Sequence, residues 1–172
     1  MPTTSLLANG DGTTSGTIGG TAGPPYYVNV DEGTDSPNDG DGITFASSGA
    51  FIFLLLTDLA SDAVTVTGIT AKLRTTNSSK GRGVSSFQFF QSDESTALTG
   101  STTVTGSTTT TTYSFSPSIT GATTKAAWDG ARIKVIATGA SGICSMEAIQ
   151  VDVTYSTSDG SSTTQTAFLV GF

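Results

Sequence analysis

The sequence predicts an all-β fold: an antiparallel β-sandwich of jelly-roll or Greek-key type with extended terminal arms. Three observations carry this expectation. Thr, Ser and Gly together fill 77 of the 172 positions. Glu occurs only as Glu32, Glu94 and Glu147, and Lys and Arg together number seven, so long amphipathic helices held by charged pairs are excluded. Apolar residues come in short runs that alternate with polar ones and recur at roughly ten-residue spacing, with turn formers between them and no room for a β-α-β unit.

Residues 1–22 carry only isolated apolar side chains, Leu6, Leu7 and Ile18, among Gly, Thr and Ser. Alone, such a segment buries too little to offset ordering entropy, so it is expected to be a flexible N-terminal arm. Gly23-Pro24-Pro25 stops regular structure, and the β-formers of Tyr26–Val30 predict the first strand of a sandwich domain over 23–157. From Asp31 to Gly42 the chain is a turn-rich acidic loop.

Phe51 to Thr57 reads FIFLLLT, a run too short for a typical helix and apolar on both faces, as in a strand that is covered twice or meets a partner. Val64 and Val66 alternate with polar residues, and so do Ile69, Ala71 and Leu73, but the phase slips at Thr67-Gly68. A β-bulge at Gly68 would return all of these side chains to one face. Phe87 and Phe89, Tyr113 and Phe115, Ile133 and Val135, then Ile149, Val151, Val153 and Tyr155 mark four more half-buried strands. Asn77 to Gly83 is a loop, and Lys125–Trp128 suits one helical turn closed by Gly130. Residues 158–172 form a C-terminal tail, a polar spacer ending in Phe168, Leu169 and Phe172.

Composition removes several function classes. There is no His, which excludes Ser-His-Asp and Cys-His nucleophiles and His-ligated zinc. A single cysteine, Cys144, excludes an intrachain disulfide. The net charge is −7, and residues 1–71 hold eight acids and no base, so nothing offers phosphate backbones the cationic surface they need. No run reaches the length of a membrane span, and no signal-peptide pattern opens the chain, so neither nucleic acid nor membrane is an expected partner.

Several features admit a functional and a plain reading. Asp31, Glu32, Asp35, Asp39 and Asp41 are candidate Ca²⁺ ligands, although their spacing is not that of an EF-hand loop and Asx turns in a solvated loop are the simpler expectation. Asp93-Glu94 is a carboxylate pair, but neighbours on a strand face opposite ways, and a turn accounts for them better than a glycosidase dyad. Trp128 with Tyr26 and Tyr27 would suit a sugar-stacking platform; a core plug at one end of the sandwich is the simpler expectation for Trp128. The Thr-rich stretch 102–112 reads as a hairpin with exposed Thr ladders. Asn77-Ser78-Ser79 matches a glycosylation sequon without an export signal to give it meaning.

The segments Tyr26–Glu32, Asp35–Asp39, Val64–Ile69, Ala127–Ile133 and Ala148–Tyr155 together resemble head-decoration, or cement, proteins of tailed bacteriophages. The resemblance covers about residues 26–155 and implies a non-enzymatic virion protein on the outer capsid surface. Its implied partners are the major capsid protein and copies of itself, as homotrimers more than homodimers. On this reading Leu6, Leu7 and Ile18, with Phe168, Leu169 and Phe172, are the expected contact residues, carried on docking arms. The alternative expectation is a carbohydrate- or receptor-binding sandwich of a fibre or tail, with no catalytic residues in either case.

Overall fold

The computed structural model describes residues 1–20, 23–35, 37, 41–76, 83–105, 107–137 and 144–158. The strands in chain order are β1 (Thr3–Ser15), β2 (Ile18–Gly20), β3 (Ile43–Phe45), β4 (Phe51–Leu56), β5 (Ala63–Thr76), β6 (Val84–Phe90), β7 (Thr102–Thr103), β8 (Thr111–Phe115), β9 (Arg132–Ala137) and β10 (Cys144–Thr157). Every pairing between them is antiparallel.

Two sheets face each other. Sheet I runs β2-β3-β10-β5-β8, and sheet II runs β4-β9-β6-β7. Strand β1 belongs to both: Thr3–Leu7 pair with β10, and Ala8–Ser15 pair with β4 across two register shifts. The layer between the sheets is filled by alternate residues of each strand, among them Leu6, Ile52, Leu54, Leu73, Phe87, Phe89, Ile133, Val135, Ile149, Val151 and Val153, all without solvent exposure. This is the expected β-sandwich, built from the expected alternation.

The N-terminal segment differs from expectation. Residues 3–15 are not a flexible arm but a strand that stitches the two sheets together, with Leu6 fully buried and Ala8 nearly so. The segment is too polar to fold by itself. Paired on its main chain with β10 and then β4, it needs only two inward side chains to join a core that other strands supply. The sandwich therefore begins at Thr3 rather than at residue 23.

Tyr26–Asn29 is a 3₁₀ helix and not the first strand. The Asp11 carboxylate accepts the main-chain N–H groups of Tyr26 at 2.6 Å and Tyr27 at 2.7 Å, and the Asn29 amide donates to the Tyr26 carbonyl at 3.0 Å. These side chains satisfy the orphan groups of a short helix, which outweighs the β propensity of Tyr and Val.

In β5 the register slips where expected, with Gly68 opposite Thr154 and Val66 opposite Tyr155, so that Val66, Ile69, Ala71 and Leu73 all face the core. A second slip leaves Val64 unpaired between Thr65 and Ala63, and Val64 points outward at 44% exposure. The Thr-rich stretch is not a hairpin: β7 pairs with β6 in sheet II and β8 with β5 in sheet I, so the chain changes sheets between them. Trp128 closes one end of the core as expected, fully buried beside Phe89, with its indole N–H donating to the Ala122 carbonyl at 3.0 Å. It lies on a single helical turn, α1 (Lys125–Trp128), followed by Gly130 at φ +65°.

Candidate functional site

The two outer faces of the sandwich have opposite chemistry. On sheet I, Asp152 accepts hydrogen bonds from Ser5 at 2.7 Å and Gln150 at 2.8 Å, and pairs with Lys72 at 2.8 Å. The loop after the 3₁₀ helix lies across this face, where Thr34 donates to the Gln150 side chain at 3.2 Å through both its main-chain N–H and its hydroxyl. The Asp152 hydrogen bond raises the Lys72 pKa. For Asp152, burial pushes the carboxyl up, while bonds from Gln150, Lys72 and Ser5 hold it below its ordinary value. This part of the face is a hydrogen-bonded polar cluster.

On sheet II the outer face is aromatic. Because β4 alternates, Ile52, Leu54 and Leu56 enter the core while Phe51, Phe53 and Leu55 project to the other side. Registers place Leu55, Arg132 and Phe90 in one row across the sheet, Phe53, Lys134 and Gln88 in the next, and Phe51, Ile136 and Ser86 in the third. Phe53 is 4% exposed yet lies outside the central core. It meets Phe51 edge-on with centroids 5.9 Å apart and Phe90 at 5.4 Å. Phe51, Phe90, Leu55 and Ile136 remain half-buried around it.

Two cations sit in this face on alternate residues of β9. The Lys134 ammonium lies 4.1 Å from the Phe51 ring centroid and 5.4 Å from that of Phe53. Arg132 forms an ion pair with Glu94, whose carboxylate also accepts the Thr13 N–H at 3.1 Å. Burial pushes the Glu94 pKa up; the bonds from Thr13 and Arg132 outweigh it and hold the carboxyl below its usual range. The Arg132 Nε is buried with no hydrogen-bond partner among the described residues.

Glu94 occupies the left-handed region at φ +58°. The preceding Asp93 stabilises that turn by accepting N–H groups of Ser95 at 2.9 Å and Thr96 at 2.8 Å, and its pKa is lowered chiefly by the Thr96 hydroxyl. Asp93-Glu94 is thus a turn, as expected, with one carboxylate spent on the loop and the other on Arg132. Gly12 is required beneath it, since a Cβ there would come within 2.8 Å of the Phe53 Cβ.

Among the described residues, the expected site residues do not come together in one place. Leu6 is a core residue, so it is not available as a docking anchor; Leu7 and Ile18 are half-buried in β1 and β2, Ile18 packing against the core. Phe168, Leu169, Phe172, Asp39 and the sequon at Asn77 lie outside the described residues. Among the described residues no three of Asp31, Glu32, Asp35, Asp41 and the other acids converge as a metal site. Tyr26 and Tyr27 pack against the core, with the Tyr26 hydroxyl donating to the Ile18 carbonyl, away from Trp128's end. The face of sheet II went unrecognised because its members come from three separate strands. The one available signal was the double-sided apolar run of β4.

What the fold defines is an antiparallel β-sandwich with one polar face and one aromatic, cationic face. No protein-family model matches the chain, and no curated protein does. Among solved structures, the chain is similar to the family 35 carbohydrate-binding module of Cellvibrio japonicus Abf62 (16% identity, TM-score 0.48, 90% of this chain and 95% of that one). It is similar to a family 6 carbohydrate-binding module from Clostridium cellulolyticum in complex with xylose (14%, TM-score 0.47, 89% and 96%). A third is the enzymatically active domain of bacteriophage CBA120 tailspike protein 4 (13%, TM-score 0.46, 88% of this chain and 19% of that one). The fold class itself stands on the strand pairing of this chain.

Proposed function

We propose that this protein is a non-catalytic carbohydrate-binding β-sandwich whose ligand lies on the outer face of sheet II. The observation that supports the reading most is the row structure of that face: half-buried Phe51, Phe90, Leu55 and Ile136 around Phe53, interleaved with Arg132 and Lys134. A saccharide presents C–H faces that pack on apolar and aromatic surface and polar edges that pair with such side chains. Asp93 is engaged in its own turn and Glu94 with Arg132, so this carboxylate pair is not free to act as a glycosidase dyad, which supports binding over hydrolysis. A glycan array followed by titration of Phe51→Ala and Phe90→Ala tests it. Binding that both variants weaken supports the reading, and binding indifferent to both sinks it.

A second reading keeps the decoration role on a virion shell, with this same apolar face seated on a capsid subunit or a second copy. It is favoured by the two-sided apolar character of β4. Co-purification with particles in high copy number, weakened by Phe51→Ala, would promote it over the first.

A further inference from the structure

We infer that residues 167–172, Ala-Phe-Leu-Val-Gly-Phe, add to the open edge of β8 as a further strand of sheet I, so that β8 is the docking site for a segment of its own chain. What sheet II binds has no bearing on this edge.

Strand β8 pairs with β5 from Thr111 opposite Thr75 to Phe115 opposite Ala71 without a register shift, and no strand lies on its other side among the described residues. Alternate residues of an antiparallel strand turn their N–H and C=O groups away from the partner, so half of the β8 main chain faces an open edge. The strands at other ends of the sheets are shorter: β7 has two residues, and β2 has three, two of them Gly. Strand β8 has five, Thr-Thr-Tyr-Ser-Phe, with no charge, Pro, Gly or bulge to discourage an added strand.

The inner side of this edge is aromatic and incompletely covered. Tyr113 and Phe115 stand opposite Leu73 and Ala71, both fully buried, and so lie on the core side of sheet I. Each nevertheless remains half-buried; their rings are 6.4 Å apart, and Phe115 meets Phe87 at 5.4 Å. Core-side rings on an end strand are flanked by β5 alone, and a neighbouring strand with apolar side chains at alternate positions covers the other flank.

The chain itself carries such a strand. Residues 159–172 lie outside the described residues, and Ser158 follows directly on β10. After a polar spacer, Phe168, Val170 and Phe172 fall on one side of an extended segment, and Ala167, Leu169 and Gly171 on the other. The first set matches Tyr113 and Phe115 in spacing and chemistry. Polarity agrees too: β10 ends with Thr157 opposite Ala63, so a segment returning from there meets Phe115 before Thr111 and runs antiparallel to β8, as in every other pairing. Ala63 to Ala71 along β5, at about 3.4 Å per residue, and three strand spacings of about 4.8 Å put the new strand about 30 Å from Thr157. The chain from Thr157 to Phe168 spans up to about 36 Å. A tether that reaches holds its segment at roughly millimolar local concentration, which a second molecule at micromolar concentration does not match.

Amide hydrogen exchange of the full chain, read residue by residue by NMR, tests this in the parent, Val170→Asp and Leu169→Asp. In the parent, the open-edge N–H groups of β8 should exchange as slowly as those bonded to β5, and residues 168–171 should be protected with them. Val170→Asp places a charge on the core side and should speed the open-edge amides about tenfold or more, while Leu169→Asp, on the solvent side, should leave them within about threefold. Slow exchange of the β5-bonded amides in all three shows that the sandwich stays folded. Open-edge amides that exchange at free-peptide rates in the parent overturn the inference. Equal effects of the two substitutions overturn it as well, since only an added strand has a core side and a solvent side. Protection that falls on hundredfold dilution overturns it in favour of a segment supplied by a second copy.

Discussion

Asp11 and Tyr26, fifteen residues apart in sequence, are joined by a 2.6 Å hydrogen bond from the Tyr26 main-chain N–H to the Asp11 carboxylate, whose other oxygen takes the N–H of Tyr27. One side chain on β1 thereby sets the start of the 3₁₀ helix and turns a segment rich in strand formers into a helical turn. Replacing it tests that cause. Asp11→Ala should cost about 1–2 kcal/mol, as for a lost helix cap, and Asp11→Asn less, since one acceptor survives. Denaturant midpoints of the three proteins measure the order; equal midpoints would mean that the Pro-Pro segment sets the helix by itself.

Leu6 fills the core from a strand that looked dispensable. Leu6→Ala should destabilise by about 2–5 kcal/mol, and removal of residues 1–15 should expose two long strand edges and abolish cooperative unfolding. A truncated chain that melts like the intact one would restore the flexible-arm expectation.

The acid limb of stability should depend on Asp152. Its folded pKa is depressed, so its contribution is complete above its unfolded value of about 3.9 and is lost as pH falls through the lower folded value. Lys72 has the opposite sign: raised in the fold, its contribution is present below about 10.4 and lost as pH climbs through the folded value. Asp152→Asn should lower the urea midpoint at pH 7 and flatten its decline below pH 4, leaving the part due to Glu94 and Asp93. An unchanged slope in that variant would show that the sheet I cluster is not the titrating element.

Gly12 and Glu94 are coupled by space. A methyl group at residue 12 would press on Phe53 and displace the Glu94 carboxylate from Arg132. Gly12→Ala should cost about 1–3 kcal/mol. In the double variant with Glu94→Gln, part of that cost should disappear, which a double-mutant cycle on unfolding free energies measures directly.

Trp128→Ala should be among the most damaging substitutions, at about 3–5 kcal/mol, because it empties one end of the core and leaves the Ala122 carbonyl without its donor. Thermal unfolding of the variant checks this, and a small shift would mean that the end of the sandwich collapses to fill the space.

The all-β class, the inward faces of β6, β9 and β10 and, apart from Val64, of β5, the bulge at Gly68, the turn at Asp93-Glu94 and the place of Trp128 were all legible in the sequence. Each depends on a period or a turn residue within a few positions of itself. The strand at Thr3–Ser15 was not legible, because its stability resides in main-chain bonds to β10 and β4 rather than in its own side chains. Nor was the helix at Tyr26, whose cap comes from Asp11. The aromatic face belongs to the same category. The run of β4 announced that both its sides are apolar, yet only strand register brings Phe53 beside Lys134, and Leu55 beside Arg132. Alternation is a local property of the chain, so sequence alone determined which residues share a side of a strand. Which strands lie next to one another, and therefore which charges meet which rings, is decided by long-range pairing and exists only in the folded molecule.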